Sequence, residues 1–433
     1  MIFERTELNK GFSLYCLPTK KFKATTISLF IHRPLDQSVT RNTLLLKTLA
    51  RGCKKYPNMR KIIMFLESLY GASFTTGVGK LGERHILQFH AEIVNERFLP
   101  HTQTKNTQKI LDFLKRIISE PVVAHNGLRQ DYFKEERTNL KHLIEGLIDD
   151  KMAYAKQRCI EEMCRNEPFG LYEYGKIADL DKITPKNLLT HLQEILLTSP
   201  MDIYVVGDIN SSKLANGISK SFTRLFSLRQ KHIKQSGAST TIPPTQINIS
   251  IPTEPRIIKE KIPVDQTKLV MGFRTGINWQ SETIFSMIVF NTLLGGYSNS
   301  RLFVEVREKA GLAYYVSSQL DSSKGLILLH AGINSEQFSK TVDIIQKQIA
   351  EVGRGNISKE EFNNTLKTLQ ERLTMMEDNP NSLITYFAEL FVHGRNESLE
   401  NLRDKLLRVT PEQVAAMARQ IKLDTIYCLS AKV

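Results

Sequence analysis

At 433 residues the chain is longer than a single hydrophobic core usually supports, so two or more domains are expected. Its 41% hydrophobic and 24% charged content is ordinary for a soluble globular protein, and no apolar run approaches the roughly 20 residues that span a bilayer. The net charge of +14 is dispersed along helices together with acidic residues and accompanies no nucleic-acid-binding motif, so nucleic-acid binding is not expected. An acidic protein partner or acidic peptide would use the same charge equally well.

The N-terminus and the cysteines give two further expectations. No charged-then-apolar leader with a small-residue cleavage site opens the sequence, which predicts cytoplasmic residence. The five cysteines are odd in number and scattered without a Cys-x-x-Cys pair. They are therefore expected to be free thiols, with neither a disulfide framework nor a thiolate zinc site.

Two segments of the first half recur roughly 240 residues later, which indicates two copies of one structural plan. The apolar strand at residues 88–93 matches the one at 328–333. Each copy then has a Thr-Pro pair, at 184–185 and 410–411, that suits the N-cap and first position of a helix. An apolar strand follows each of these helices, so the order of elements repeats as well.

Residues 229–255 separate the two copies and have the composition of an exposed connector, with a Ser-Gly-Ala-Ser-Thr-Thr run and several prolines. The sequence thus predicts an N-terminal domain at 1–228 and a C-terminal domain at 256–433. Strands interspersed with long amphipathic helices in each copy predict the α+β class, in which a mainly antiparallel sheet packs against helices.

The most distinctive segment of the sequence is residues 295–318, GGYSNSRLFVEVREKAGLAYYVSS. It combines paired glycines with several arginines and tyrosines. A helix from about residue 282 is predicted to end at Gly295, because glycine suits the left-handed position after a helix. Ser300 is predicted to cap a second helix, which Gly311 ends before a strand begins. A helix, a glycine break and a strand start would then meet at one edge of the sheet.

Arg307 lies on that second helix and Tyr314 at the start of the strand, so the arrangement would bring a guanidinium and a phenol together. Both groups are donors suited to a carbonyl oxygen that acquires negative charge. Taken singly, the residues are explained equally well without a site: Arg307 pairs with Glu305 or Glu308, and Tyr314 is a core aromatic.

The block around Arg307 and Tyr314 resembles that of the pitrilysin/insulinase peptidases, the inverzincins, and the resemblance covers most of the chain. It includes Gly-Cys-Lys-Lys-Tyr-Pro at 52–57, Phe-Leu-Glu-Ser-Leu-Tyr-Gly-Ala at 65–72 and Val-Gly-Asp at 206–208. The resemblance implies two homologous halves that close like a clamshell around a peptide chamber. It also implies that Arg307 and Tyr314 are substrate-binding residues, because the corresponding pair holds a peptide carbonyl in those enzymes.

The metal motif of that family, His-x-x-Glu-His, does not occur in the sequence. Counting back from the Leu-Ala-Arg-Gly-Cys-Lys-Lys-Tyr-Pro tract puts Thr43, Leu46 and Lys47 where His, Glu and His would stand. Thr is a poor zinc ligand, Leu cannot take a proton, and Lys is cationic at neutral pH. We therefore expect no metal, no cofactor and no catalytic residue in this chain alone, with zinc only in a partner subunit. A role for the Lys47 charge beside a bound carbonyl is an open alternative.

No other group of residues in the sequence indicates a metal site. His85 and His90 are five positions apart on one predicted strand and point to opposite faces. His90 matches His330 in the repeat, so a structural role is expected for it. We expect the glutamates that might replace the family's third zinc ligand to be solvated helix charges: Glu135, Glu136 and Glu145.

Two functions follow from the resemblance. In the first, the chain is the non-catalytic, substrate-binding subunit of a heteromeric peptidase and supplies Arg307 and Tyr314 to a partner that carries His-x-x-Glu-His. The strand at 73–76, where active members add an extended peptide to a sheet edge, would also bind substrate. In the second, the chain is a peptide-binding or scaffold protein, possible as a homodimer, without peptidase activity. Peptide maturation and protein modification are both compatible with it, since some relatives are associated with modification of elongation factor P.

Overall fold

The chain folds into two compact units in the computed structural model. The first unit contains Met1–Glu145 and Leu171–Pro243, and the second contains Gly146–Gly170 and Pro244–Val433. Parts of the predicted connector, Ala238 and residues 249–251, lie outside the described residues. The residues that the structure describes are 1–100, 105–237, 239–248 and 252–431.

A six-stranded mixed sheet is the centre of the first unit. Its strands are β1 (Glu4–Asn9), β2 (Phe12–Pro18), β3 (Ala24–Pro34), β4 (Ser73–Leu81), β5 (Arg84–Val94) and β8 (Met201–Gly207), while β6 (Val123–Ala124) and β7 (Gly127–Leu128) form a separate hairpin. The strand order is β1-β2-β8-β3-β5-β4. All neighbours are antiparallel except the parallel pair of β2 and β8.

Helices cover one face of this sheet and enclose the core of the first unit. The core joins apolar side chains of the strands, such as Leu29 and Phe89, to those of the helices, such as Leu45 and Phe113. The helices of this unit are α1 (Val39–Ala50), α2 (Met59–Ser68), α3 (Asn106–Ser119), α4 (Gln130–Glu145), α6 (Ile177–Leu180), α7 (Pro185–Thr198) and α8 (Ser211–Ser236).

The second unit contains a five-stranded sheet. Its strands are β9 (Arg256–Lys261), β10 (Thr267–Arg274), β11 (Ala313–Asp321), β12 (Leu326–Ile333) and β13 (Lys422–Ser430). The order is β11-β12-β10-β13-β9, and only the pair of β13 and β9 is parallel. Strand β11 therefore lies at one edge.

The helices of the second unit include two π-helical segments, Thr292–Gly296 and Phe303–Lys309. The first overlaps the start of the segment at residues 295–318, and the second lies inside it. None of the helices in the described ranges is long and apolar enough to cross a membrane. The α-helices are α5 (Lys151–Met163), α9 (Ile284–Asn291), α10 (Phe338–Gly353), α11 (Lys359–Glu377), α12 (Pro380–Val392), α13 (Leu399–Leu407) and α14 (Pro411–Gln420).

The two sheets repeat one topology, which confirms the predicted α+β class and the two homologous halves. The strand order β2-β8-β3-β5-β4 of the first unit corresponds to β9-β13-β10-β12-β11 of the second, and each order begins with its single parallel pair. The predicted Thr-Pro helix starts are also confirmed. Thr184 and Asn187 form a reciprocal capping box at α7, and Thr410 and Gln413 form one at α14.

One segment groups differently from the predicted domain bounds. Residues 146–170 fall inside the predicted N-terminal domain, yet α5 packs on the sheet of the second unit. Ala155 of α5 joins a buried apolar cluster with Val270 and Tyr427 from the strands. The absence of a side chain at Gly272 permits the close approach, because a Cβ there would lie 2.7 Å from the sulfur of Met163.

Buried ion pairs fix the same segment to the second unit. Arg274 on β10 donates to the Met163 carbonyl at 2.7 Å and to the Glu167 carboxylate at 2.6 Å. Its Nε also lies 2.7 Å from Asp424 on β13. Lys324, which is fully buried, pairs with the other Glu167 oxygen at 2.7 Å. Removing one member would leave a buried charge without compensation, so the network holds this segment strongly.

The predicted connector begins with regular structure. Helix α8 continues through residues 229–236, and Gly237 ends it in the left-handed conformation with a φ of 64°. Arg229 is fully buried on this helix, and its Nη1 donates to the Leu196 carbonyl at 2.8 Å. The predicted connector thus includes the last eight residues of α8.

Candidate functional site

The residues that stand in place of the metal motif lie on α1 and serve the core of the first unit. Leu46 packs in the hydrophobic cluster of that unit. Thr43 is fully buried, and its hydroxyl lies 3.0 Å from the carbonyl oxygens of Val39 and Glu173. Lys47 is half-buried in the last turn, where a positive charge is favoured by the helix dipole.

The carboxylates on α4 are engaged by an arginine. Arg51, at the end of α1, pairs with Glu135 and lies 3.5 Å from Glu136. Glu136 is only 8% exposed and also accepts a hydrogen bond of 3.2 Å from Asn139. The expectation that it is a solvated helix charge is therefore wrong. It is buried because α4 packs against α1 and brings a guanidinium to it.

Zinc, which the family motif implies, does not fit this donor set. The three positions offer one hydroxyl already bonded to carbonyl oxygens, one hydrocarbon and one ammonium, and the neighbouring glutamates are paired with Arg51. Across the described parts of the chain, no three side chains of His, Cys, Asp or Glu are grouped so that they could hold a metal ion.

Asn42, one residue before Thr43, links two buried histidines, a role that no motif in the sequence indicates. Its amide nitrogen is 3.2 Å from His85 Nδ1, and its amide oxygen is 2.7 Å from His191 Nε2. Burial lowers the pKa of both histidines to about 4, so both are neutral at neutral pH. The position that flanks the lost motif thus has a structural role.

Arg307 lies on the second π-helical segment and rests on an aromatic ring. Its guanidinium carbon is 4.5 Å from the centre of the Phe303 ring, one turn earlier. Its Nε is 3.7 Å from Glu308, while Glu305 is bonded to Lys309 instead. The side chain is 39% exposed, so its donors are accessible. Phe303, four residues before Arg307, is a sequence signal for this contact.

The turn after this helix is wide, as expected at the end of a π-helix. Gly311 has a φ of 63°, a left-handed conformation that glycine adopts without strain. Its N–H donates to the Arg307 carbonyl at 3.2 Å, and the Leu312 N–H donates to the Val306 carbonyl at 3.0 Å. The predicted glycine break is confirmed, and it fixes the backbone of Arg307 next to the start of β11.

Tyr314 lies on a β-bulge at the start of this edge strand. Ala313 pairs with Ile333 and Tyr315 with Gly332, so Tyr314 is the extra residue. Its side chain is 76% exposed, which rules out a role as a core aromatic. The neighbouring Tyr315 ring packs against the backbone of Gly332, where a Cβ would lie 2.5 Å from that ring.

Arg307 and Tyr314 thus flank one turn at one end of the second unit's sheet, and both side chains face solvent. No hydrogen bond joins the guanidinium to the phenol among the residues that the structure describes. Such an arrangement leaves both sets of donors available to a third group.

Gly295 has a different role from the predicted one. Its φ of −154° is neither helical nor left-handed, so the helix is interrupted at Gly295, as predicted, but not by a left-handed residue. The reason for glycine is space, because a Cβ at Gly295 would lie 2.7 Å from the Ser318 nitrogen on β11. Ser300 also differs from prediction: it is fully buried, and its hydroxyl caps no helix within the described chain.

The histidines of the repeat have the expected structural role. His90 Nδ1 is 2.9 Å from the Ser28 hydroxyl on the neighbouring strand, and His330 Nε2 is 2.8 Å from that of Ser317. Burial lowers the pKa of both rings, that of His330 to about 4. Each histidine thus pairs with a serine on a neighbouring strand of its own sheet.

The strand expected to meet a peptide lies at a sheet edge. β4 pairs only with β5, and its other side has no strand partner in the described chain. Thr75 is exposed and Phe74 half-buried, so one face of the strand is anchored while its free edge stays accessible. Edge strands of this kind accept an extended segment by main-chain hydrogen bonding.

Comparison with known proteins identifies relatives along the whole chain. A family model described as "Peptidase M16 inactive domain" matches residues 182–369. The chain is 31% identical over 424 residues to a probable inactive metalloprotease, YmfF, from Bacillus subtilis, covering 97% of this chain and 96% of that protein. It is also 31% identical over 168 residues to an uncharacterized zinc protease, YmxG, of the same organism, covering 38% of this chain and 41% of that protein.

Solved structures of other proteins share this fold over the whole chain. A conserved protein from Enterococcus faecalis has 26% identity and a TM-score of 0.89, covering 100% of this chain and 99% of that one. A peptidase M16 inactive domain from Pseudomonas fluorescens has the same fold at 16% identity, with a TM-score of 0.79 and coverage of 100% and 99%. On its sequence and its repeated sheets, the chain belongs to the M16 peptidase family.

Proposed function

We propose that this chain is the substrate-binding subunit of a heteromeric M16-type peptidase. It would supply Arg307 and Tyr314 to a second subunit that carries His-x-x-Glu-His, and it would have no peptidase activity by itself. Because the chain has a net charge of +14, an acidic partner or an acidic peptide is favoured. A cytoplasmic location is part of the same proposal.

The exposure of Tyr314 is the observation that carries the proposal. At 76%, it is the highest among the exposed large hydrophobic residues of the described chain, although the neighbouring Tyr315 is packed. A bulge that turns a phenol to solvent beside a half-exposed arginine has no evident use in stabilising the sheet. It does suit a carbonyl oxygen, which can accept from both the guanidinium and the hydroxyl.

The first unit supports a binding role without catalysis. Thr43 and Leu46 are buried in the first unit. The helix that carries the zinc ligands in active relatives therefore contributes to stability in this chain. The edge of β4 remains available for an extended peptide. Both features support a proposal of binding without catalysis.

The test is reconstitution with a candidate partner encoded in the same genome that has an intact His-x-x-Glu-His. Association is measured by size-exclusion chromatography, and cleavage is measured with a fluorogenic peptide. Arg307→Ala and Tyr314→Phe should leave association unchanged and lower kcat/KM by about tenfold or more, the size expected for loss of one donor to a developing oxyanion. Arg354→Ala is the matched control, since Arg354 is an exposed arginine at the end of α10.

Two outcomes would contradict the proposal. One is the failure of every such partner to associate, and the other is a complex whose kcat/KM is indifferent to Arg307→Ala. Tight binding of an uncleaved peptide to the chain alone, with protection of β4 amides from hydrogen exchange, would instead support the scaffold function. That second function shares the edge of β4 but does not need Arg307.

A further inference from the structure

The second unit contains a half-open cavity of about 430 Å³ that plays no part in the proposed function. It lies behind the edge strand β11, on the side of the sheet that the helices cover. Its walls come from α9, the first π-helical segment, α11, α12, and the β11 residues Ser318 and Leu320. This volume is within the range of small-molecule sites.

Most of the lining is apolar. Leu369 and Leu373 on α11 form one wall, and Trp279 and Tyr386 form another, with their rings edge to face at 5.7 Å. Trp279 is the single tryptophan of the chain and is only 2% exposed. Such a surface gains free energy when an apolar group displaces water from it.

Two side chains in the wall have a buried polar atom without a hydrogen-bond partner in the described chain, the indole nitrogen of Trp279 and the amide oxygen of Asn291. Asn291 is 9% exposed, and its amide oxygen is enclosed without a hydrogen bond within the described chain. The main-chain oxygen of the same residue is already occupied, because it accepts from the Ser318 hydroxyl at 3.0 Å. A buried amide without partners costs about 1–3 kcal/mol, so a ligand that bonds to it would recover that cost.

The remaining polar groups disfavour an anion. Glu389 lies in the wall, and burial raises its pKa, a rise that the Ser323 hydroxyl and the Trp279 indole partly offset. The Glu389 carboxyl accepts from Ser323 at 2.7 Å. Arg372, at the rim, donates to the main-chain oxygen of Gly296. Burial that disfavours the charged form of Glu389 would equally disfavour a charged carboxylate ligand beside it, whereas an uncharged amide or hydroxyl avoids that cost.

We propose that this cavity binds a small molecule that has an apolar chain or ring and ends in an uncharged amide or hydroxyl group. The apolar part packs on Leu369, Leu373 and Trp279, and the polar end bonds to the side-chain amide of Asn291. An amide ligand suits this position because it offers both a donor and an acceptor, whichever way the Asn291 amide is turned.

Trp279 is a built-in reporter of binding, since its fluorescence is the only tryptophan emission of the chain. The full chain is titrated with hexanamide, hexanoate and toluene. Hexanamide and toluene should give saturable changes in emission, and hexanoate should bind at least about tenfold more weakly than hexanamide. A change that never saturates, or equal binding of hexanoate, would overturn the proposal.

Variants identify the place of binding. Leu373→Phe should fill the cavity and weaken hexanamide and toluene alike, while Leu407→Phe, on the exposed side of α13, should change neither. Asn291→Leu should weaken hexanamide about fivefold or more and leave toluene unaffected, because only the amide loses its partner. Should Leu373→Phe fail to fold in calorimetry, Met376→Phe fills the cavity from a neighbouring position. Unchanged hexanamide binding by a folded filling variant would refute the site. The peptidase assay with a partner is independent of all these results.

Discussion

The Ser318 hydroxyl donates a hydrogen bond of 3.0 Å to the main-chain oxygen of Asn291, joining the edge strand β11 to the start of the first π-helical segment. The contact exists because Gly295 has no side chain, since a Cβ there would lie 2.7 Å from the Ser318 nitrogen. The π-helical turn and the edge strand therefore depend on each other, and π-turns of this kind recur at functional sites.

Gly295→Ala should separate these two elements. A methyl group within 3 Å of backbone requires the strand or the turn to move, and overpacking of this kind costs about 1–3 kcal/mol of unfolding free energy. Urea unfolding measures the loss. Gly77→Ala is the matched control, because a Cβ at Gly77 would meet nothing within 4 Å. Equal stability of the two variants would show that the close approach is not required.

Phe303→Leu should weaken peptide binding through Arg307. The ring holds the guanidinium at 4.5 Å, and a partly exposed cation–π contact contributes about 0.5–1 kcal/mol. Affinity of the reconstituted complex for a labelled peptide should fall about two- to fivefold in fluorescence anisotropy, less than with Arg307→Ala. Phe338→Leu removes a similar contact to Lys259 elsewhere and should have no effect. A loss as large in the control would refute a specific role for Phe303.

Restoring the family motif should fail to restore a zinc site. In the variant Thr43→His, Leu46→Glu, Lys47→His, a carboxylate enters the core at Leu46, which should lower the unfolding free energy by about 3 kcal/mol or more. Calorimetry measures stability and atomic absorption measures zinc, which should stay well below one ion per chain. Leu46→Met, which keeps the volume, should cost less than about 1.5 kcal/mol. Stoichiometric zinc in a stable triple variant would contradict this prediction.

The histidines bridged by Asn42 should make stability fall in acid. The folded pKa of His85 and of His191 is about 4, against 6.5 ordinarily, so between these values the unfolded chain binds more protons. Stability should thus decrease as pH falls from 6.5 towards 4, by up to about 1.4 kcal/mol per pH unit for each residue.

Urea unfolding across this pH range tests the expectation. The double variant His85→Gln, His191→Gln should show a shallower slope than the unmodified chain. His142→Gln, on the exposed face of α4, should leave the slope as it is. A double variant with the original slope would show that other groups dominate the acid response.

The sequence predicts the repeat and its helix starts because these depend on local signals. Thr184 and Thr410 each precede a proline, and both caps form as predicted. The loss of zinc ligands is equally local, since Thr43 and Leu46 cannot become ligands in any fold. Tertiary packing decides the remainder. Glu136 is buried only because α1 approaches α4, which no pattern within α4 records.

Two further features also escape sequence reasoning for physical reasons. The apolar face of α5 shows that the helix is covered but does not show which sheet covers it, and in the structure residues 146–170 group with the second unit. Glycine at 295 correctly indicates a break in the helix, but its φ of −154° is not left-handed, and the close approach of Ser318 is what excludes a side chain. In both cases the constraint comes from a segment distant in sequence.

The single parallel strand pair of each unit has a consequence for synthesis on the ribosome. In each sheet the strand made last, β8 or β13, is inserted between strands made much earlier. The sheet of the first unit can close once residues 201–207 have left the exit tunnel, whereas β9, whose strand neighbour in the described chain is β13 alone, must wait for residues 422–430. Helix α5 waits longer still, since it emerges before any strand of its own unit. Its apolar face is therefore exposed to chaperones and to aggregation for most of the time that the chain takes to be made.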